Sequence, residues 1–410
     1  THRVPEGNDG LRVARAMGFP DIGCFDLALD NTRTTVQSLF EKSLPQPTEP
    51  ADEKSPWHSY WQNLRHSVQS ESPEASEWKP MVDFVKRLNR LSLSQRASRR
   101  LDQFMPVLLK YIDERSPGDA IVNRVLDLVS AICRRSAYLS LLVQNPGASE
   151  RMLELFAVSQ RVARAVTRHP ALLDELIDPS LGAYPPTGKD IRANVRRILS
   201  ANSDTETALQ ELNYLRLVVS LRIAVAVLKS TMSVFETRIT LSQLAESLVQ
   251  ACLELSLNEM QTRHGTLPGP ELAVIGYGSL GACALGFDSD LDLIFLYQPV
   301  TSMSDGARPV PAERYHTGVA RRMLSLLSAT TPSGRLYSID ARLRPNGRAG
   351  LLVSSISAFS RYQSEEAWVW ELQALTRARP IAGNAETGEH FTAIRREVLS
   401  KPRDEVTLRA

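Results

Sequence analysis

GYGSLGACALGFDSDLDLIFLY, residues 276–297, sets two aspartates one residue apart at the head of an apolar run. Side chains on an extended chain alternate, so Asp290 and Asp292 share one face and Leu291 takes the other. Two like charges held together cost free energy unless a cation lies between them. Magnesium suits such a pair, because it prefers oxygen and is usually held by one or two carboxylates plus substrate phosphates. Two such ions about 4 Å apart can stabilise both the attacking and the leaving oxygen of a displacement at phosphorus. Upstream, Gly278-Ser279 follows a candidate strand. Glycine lets a backbone approach a phosphate closely, and amides plus a hydroxyl can serve its oxygens. Downstream, Asp340 sits in GRLYSIDARLRP, whose alternation predicts a strand with Leu336, Ser338, Asp340 and Arg342 on one side. Asp340 thus completes an acidic triad suited to bridging one metal and accepting the proton of an attacking hydroxyl.

Arg342 and Arg344 follow immediately, placed to bind a triphosphate or neutralise a departing pyrophosphate. Arg348 is assigned to ion pairing or solvent instead. Trp368 and Trp370, two residues apart in a helical stretch, are expected in the core rather than stacked on a base. His169 and His264 fall near helix ends and are expected to be structural.

The 410 residues allow two or three domains, and 43% hydrophobic with 23% charged residues is ordinary for a globular protein. A net charge of +2 gives no bulk electrostatic case for nucleic acid or a membrane surface. Cys24, Cys133, Cys252 and Cys283 lack metal-ligand spacing and read as free thiols of a reducing cytosol. No apolar run of about 18 residues suggests a membrane span. Thr1 stands where a Met would open a full chain, so a piece of a longer protein is expected.

Residues 1–80 read as the tail of a preceding domain and a linker, with a possible helix in TRTTVQSLFEKSL and another in WHSYWQNLRHSV. Residues 81–264 carry strong helical periodicity and form an expected helical domain. There, Ser203 and Glu206 are expected to cap one helix, and Thr240 and Gln243 another. Leu241, Leu244, Leu248, Cys252 and Leu255 form one apolar stripe that needs a partner. RVARAVTRHPALLDELIDP predicts a helix stopped at Pro170 and a short second one. From residue 265 the period changes: GPELAVIGYG and LDLIFLYQP predict strands, and FSRYQSEEAWVWELQALTRARPI predicts helix up to Pro380. The fold class expected is α+β, mainly helical at first and ending in a 265–410 catalytic domain with a small mixed sheet.

The combination of Gly-Ser, Asp-x-Asp and a third Asp on a later strand resembles the nucleotidyltransferase superfamily with the DNA polymerase β type of palm. More narrowly, VIGYGSLG, GFDSDLDLIFLY, RLRPNGRAGLLVSSISAFSRYQSEEAWVWELQALTRAR and RVARAVTRHPALLDELIDP together resemble the glutamine synthetase adenylyltransferase family. The likeness is clear from about Gly147 to Arg396. It implies AMP transfer from ATP to a tyrosine of glutamine synthetase, with magnesium as cofactor, in the cytoplasm, under regulation by the PII signalling protein. Asp290, Asp292 and Asp340 would then be catalytic and metal-binding, while Gly278, Ser279, Arg342 and Arg344 would hold the nucleotide. Gly350-Leu351-Leu352-Val353-Ser354-Ser355 and Glu366-Ala367-Trp368 match the attaching, C-terminal half rather than the half that removes AMP by phosphorolysis. The family often has Gly-Lys-Leu-Gly-Gly where this chain has Gly278-Ser279-Leu280-Gly281-Ala282, and a Glu where it has Ala284. Two other readings stand beside transfer. One is phosphorolytic removal of AMP; the other is a helical docking module, residues 81–264, for glutamine synthetase or PII.

Overall fold

The computed structural model describes residues 8–29, 32, 55–69, 78–91, 93–115, 118–202, 204–269, 272–347 and 350–402. Contacts gather the chain into two compact units, Thr1–Leu153 and Glu154–Ala410.

The first unit is helical among its described residues, with helices Pro56–Gln69, Lys79–Asn89, Gln95–Arg115 and Asp119–Ile132. The tryptophan-rich segment does fold as a helix. Trp61 is fully buried, its indole N–H donates to Asp102 Oδ1 at 2.8 Å, and Arg65 pairs with the same oxygen at 2.6 Å. A buried indole needs such an acceptor, so this contact fixes the helix in place. The expected helix at 32–44 lies outside the described residues except for Thr32, as do linker residues 44–54 and 70–77.

The second unit contains α1 (Gln160–Arg168), a 3-10 segment (Pro170–Ile177), α2 (Gly188–Ala201), α3 (Thr205–Leu228) and α4 (Val234–His264). Then follow β1 (Ala273–Gly276), the one-turn α5 (Gly278–Gly281), β2 (Leu291–Tyr297), α6 (Ala312–Ser328), β3 (Ile339–Asp340) and β4 (Val353–Ser355). The unit ends with α7 (Ile356–Glu365), α8 (Val369–Leu375), β5 (Arg379–Gly383) and α9 (Ala385–Ser400).

The sheet runs β3-β2-β1-β5, with β4 also paired to β2. β1 is antiparallel to β2 and β5, whereas β3 and β4 lie parallel to β2. The mixed sheet therefore matches expectation, and alternation along β2 explains its burial on both faces. Leu291, Leu293, Phe295 and Tyr297 enter one core with α2, α3, α4 and α6. Ile294 and Leu296 enter the other with Phe359 of α7, Leu375 of α8 and Phe391 of α9. Strands covered on both faces read as near-continuous apolar runs, which is the character of LDLIFLY.

Several local expectations need correction. α4 begins at Val234 behind a Ser233/Glu236 capping box, so Thr240 and Gln243 lie inside the helix. Asp204 caps α3 by accepting from Thr207 N at 2.8 Å; Ser203 lies outside the described residues. The segment after Pro170 winds as a 3-10 rather than an α-helix. Residues 336–340 provide only a two-residue strand, and Leu336 and Tyr337 both enter the same core instead of alternating. The stretch expected as one helix before Pro380 is two, broken between Glu365 and Trp368, and Arg379–Gly383 is a strand. Pro380 is tolerated because β5 is an edge strand. Trp368 and Trp370 are not core residues; they are 70% and 56% exposed at the first turn of α8, where Leu375 is the buried anchor. Among the described residues no helix is long and apolar enough to cross a membrane.

His316 on α6 is 1% exposed, lies 5.1 Å from the Tyr297 ring, and neither ring nitrogen finds a hydrogen-bond partner among the described residues. Burial alone pushes its imidazole down to about 4 from an ordinary 6.5. Unfolded chain takes up that proton before the folded protein does, so stability falls as pH drops through the window from about 6.5 to 4. The loss reaches roughly 3 kcal/mol. Denaturant unfolding at stepped pH should show this decline in the native chain and a shallower one in His316→Phe.

Candidate active site

The site is built where β1 hands over to α5 beside the start of β2. Tyr277 N donates to Asp292 O at 2.9 Å, which extends the β1–β2 pairing by one residue. Gly278 then adopts a left-handed φ of +56°, and a Cβ there would collide with Asp292 Oδ2. The glycine thus has two reasons to be there: its backbone conformation and the carboxylate pressed against it. Ser279 follows in the single turn of α5, half-buried.

The acidic residues come together through the sheet. Asp292 and Asp340 are register partners across the parallel β2–β3 pair, secured by Leu291 N donating to Ser338 O at 2.9 Å. Asp290 sits exposed just ahead of β2. Asp292 is half-buried, and its carboxyl is pushed above the ordinary carboxylate range, first by burial, then by the charges of Asp340 and Asp290. Arg342 counters that shift in part. The three predicted aspartates are therefore electrostatic neighbours. Among the described residues, however, no three His, Cys, Asp or Glu side chains converge as a ready-made metal cage. One reason is visible: Arg342 grips Asp340. Its Nε donates to Oδ2 at 2.7 Å and to Oδ1 at 2.9 Å, its Nη2 pairs with Oδ2, and its backbone N–H donates to Oδ1 at 2.9 Å. The donor set is nonetheless all carboxylate oxygen with mutually repelling charge, which fits a hard divalent cation.

The two arginines do different things. Arg342 is exposed and ion-paired with Asp340, which raises its own affinity for its proton. Arg344 is turned onto the backbone of its loop, donating to Ala341 O at 2.5 Å and Gly350 O at 3.3 Å. It shapes the segment behind Asp340. Arg348 lies outside the described residues.

One supporting residue was not singled out from the sequence. Arg379 on β5 donates to Gly281 O at 3.0 Å and Leu280 O at 3.2 Å, and pairs with Glu246 of α4. It fastens the carbonyl end of the Gly-Ser turn to the longest helix. The RARP sequence carried this signal only as a basic residue before a proline.

A family model for glutamate-ammonia ligase adenylyltransferase matches residues 149–394. The chain belongs to that family. It is similar to the bifunctional glutamine synthetase adenylyltransferase/adenylyl-removing enzyme of Xanthomonas axonopodis pv. citri, at 38% identity over all of this chain and 44% of the relative. The enzyme of the same name from Stenotrophomonas maltophilia is 36% identical over 98% of this chain and 44% of the relative. That from Pseudomonas syringae pv. tomato is 35% identical over the whole chain and 45% of its own length. The chain thus spans less than half the length of the curated relatives it matches.

Gly278→Ala should destabilise the fold by about 1–3 kcal/mol, from left-handed strain plus the forced displacement of Asp292. Gly286→Ala, at an exposed site with an ordinary φ and only Ser289 Oγ at 3.2 Å, should be near neutral. Urea unfolding of the two variants checks the contrast.

Proposed function

We propose that this chain transfers AMP from ATP to a tyrosine hydroxyl of glutamine synthetase, releasing pyrophosphate. The observation that carries the reading is the Asp292–Asp340 register pair with Gly278 closed against Asp292. That arrangement puts a glycine, whose backbone a phosphate can approach closely, directly beside a repelling carboxylate pair. It is the core of a nucleotidyltransferase palm of the DNA polymerase β type, spanning 265–410, with α2, α3 and α4 packed on one face of its sheet.

Asp290 and Asp292 would hold magnesium, with Asp340 assisting. Bound there, magnesium would supply positive charge to offset that of the triphosphate and of the departing pyrophosphate. The chain's own groups do the rest. Asp340, held in place by its pair with Arg342, orients the tyrosine hydroxyl and accepts its proton. The Gly278-Ser279 turn holds the phosphates against the strand ends. Arg342 can exchange its Asp340 contact for a phosphate oxygen, a redistribution of charge-assisted hydrogen bonds rather than a loss of them. Arg344 supports this by fixing the loop. ATP and glutamine synthetase as substrates place the reaction in the cytoplasm.

The relatives' shared name also includes adenylyl removal, so phosphorolysis is the second reading. The segments Gly350–Ser355 and Glu366–Trp368, which resemble the attaching half, favour transfer.

With unmodified glutamine synthetase, magnesium and ATP labelled at the α-phosphate, the chain should label the synthetase. Asp290→Asn or Asp292→Asn should lower the rate about 10²–10³-fold, equivalent to roughly 3–4 kcal/mol of transition-state stabilisation. Near-full transfer by either variant would sink the assignment. In a parallel mixture of adenylylated synthetase and phosphate, little or no ADP is expected.

A further inference from the structure

Between α1, α3 and residues Phe287 and Asp288, the second unit holds a cavity of about 490 Å³ with a strongly basic lining. Arg161, Arg164 and Arg168 come from α1 at spacing i, i+3, i+7, so one face of a nine-residue helix presents three guanidiniums. Its opposite face is apolar, with Val162, Ala163 and Val166 buried. Arg216 of α3 supplies a fourth guanidinium, stacked on Tyr337 at 5.8 Å. Its Nε is buried and has no hydrogen-bond partner among the described residues. The lone carboxylate in the lining is Asp288, already paired with Arg161 at 2.6 Å.

Like charges on one helix face repel, and a buried unpaired guanidinium N–H costs free energy. Among the described residues that line the cavity one carboxylate meets four guanidiniums, so ring stacking and a single ion pair leave most of the positive charge uncompensated. We propose that this cavity is a binding site for an oligophosphate, a compact anion with several charges and enough oxygens to engage three or four guanidiniums at once. Two sources share that chemistry: the triphosphate tail of a nucleotide, and free pyrophosphate or a longer polyphosphate. The same lining disfavours a neutral or cationic ligand. His169, also in the lining, is pushed toward its neutral form by burial and by Arg168 and Arg216, as expected in an electropositive enclosure. This site rests on its own charge and goes beyond the transfer reading. Its test is direct binding, so failure of AMP transfer would leave it standing.

Tripolyphosphate would be titrated calorimetrically into the whole chain with EDTA present, which removes any contribution from metal at the acidic residues. One anion per chain is expected, with affinity falling steeply as salt rises. Arg164→Gln/Arg168→Gln, at exposed positions, should weaken binding on the order of 100-fold with an unchanged melting temperature. The single variants Arg164→Gln and Arg168→Gln should fall between. Absence of binding by the folded native chain, or equal binding by the folded double variant, would overturn the proposal. Displacement of bound tripolyphosphate by ATP would identify the nucleotide tail as the natural occupant. Binding that pyrophosphate displaces and ATP does not would identify the free anion.

Discussion

The site depends on one close approach: the backbone of Gly278 lies against the carboxylate of Asp292. Asp292 is half-buried and lies among the charges of Asp340 and Asp290, which Arg342 offsets only in part, so electrostatics on balance work against its position. What holds it is the strand. Positions 292, 294 and 296 of β2 share one face, and Ile294 and Leu296 are packed into the core with α7, α8 and α9. The alternate residues Leu291, Leu293, Phe295 and Tyr297 fill the other core. A strand anchored on both faces cannot slide to separate its terminal aspartate from Gly278, because a one-residue slip would turn every side chain to the wrong face. Apolar burial over the length of β2 thus offsets the repulsion at its end.

The turn facing Asp292 needs an anchor too, since four residues make a weak helix. Arg379 provides it by binding the carbonyls of Leu280 and Gly281 while paired to Glu246. α4 carries Glu246 on one flank and, on another, the stripe Leu241, Leu244, Leu248 and Cys252 that packs under the sheet. The Gly278-Ser279 turn is therefore tied to the same core that holds β2. Close packing at Gly281, where a Cβ would strike the Arg377 carbonyl, leaves the turn little room to move.

How much of this could be read beforehand follows from the range of each signal. β2 was legible because continuous apolar character bounded by Asp and Pro has one economical explanation, a strand covered on both faces. The Gly-Ser turn and the Asp290/Asp292 pair were legible from spacing, whereas Asp340 joined them only through the superfamily layout, and its register with Asp292 is a fact of the sheet. β5 was not legible: Pro380 marks the end of a helix locally, and only the sheet order reveals an edge strand that tolerates it. Trp368 and Trp370 were misread for the same reason. The break at Glu366 sets which side of α8 faces the core, and helical periodicity cannot see a break. The α4 cap was missed because Ser233 and Glu236 precede the apolar stripe by more than a turn. The arginines of α1 meet Arg216 of α3 only through the tertiary fold, which the spacing within one helix does not report.

The loop 287–292 joins two regions of opposite charge. Asp288 is paired with Arg161 of α1, Asp290 is exposed, and Asp292 opens the strand. The alternate aspartates thus divide their duties, one neutralised by an arginine and two left facing each other's charge. The pairing at Asp288 is partly exposed and adds little to overall stability. Its effect is positional. With Asp288 held at one end and Asp292 locked in β2 at the other, the segment bearing Asp290 spans a fixed, short distance. An exposed carboxylate on so short a tether has few places to go, and each of them lies between the basic helix and the acidic strand end. Asp290 is thus positioned by its neighbours, while its own oxygens form no hydrogen bond or ion pair among the described residues.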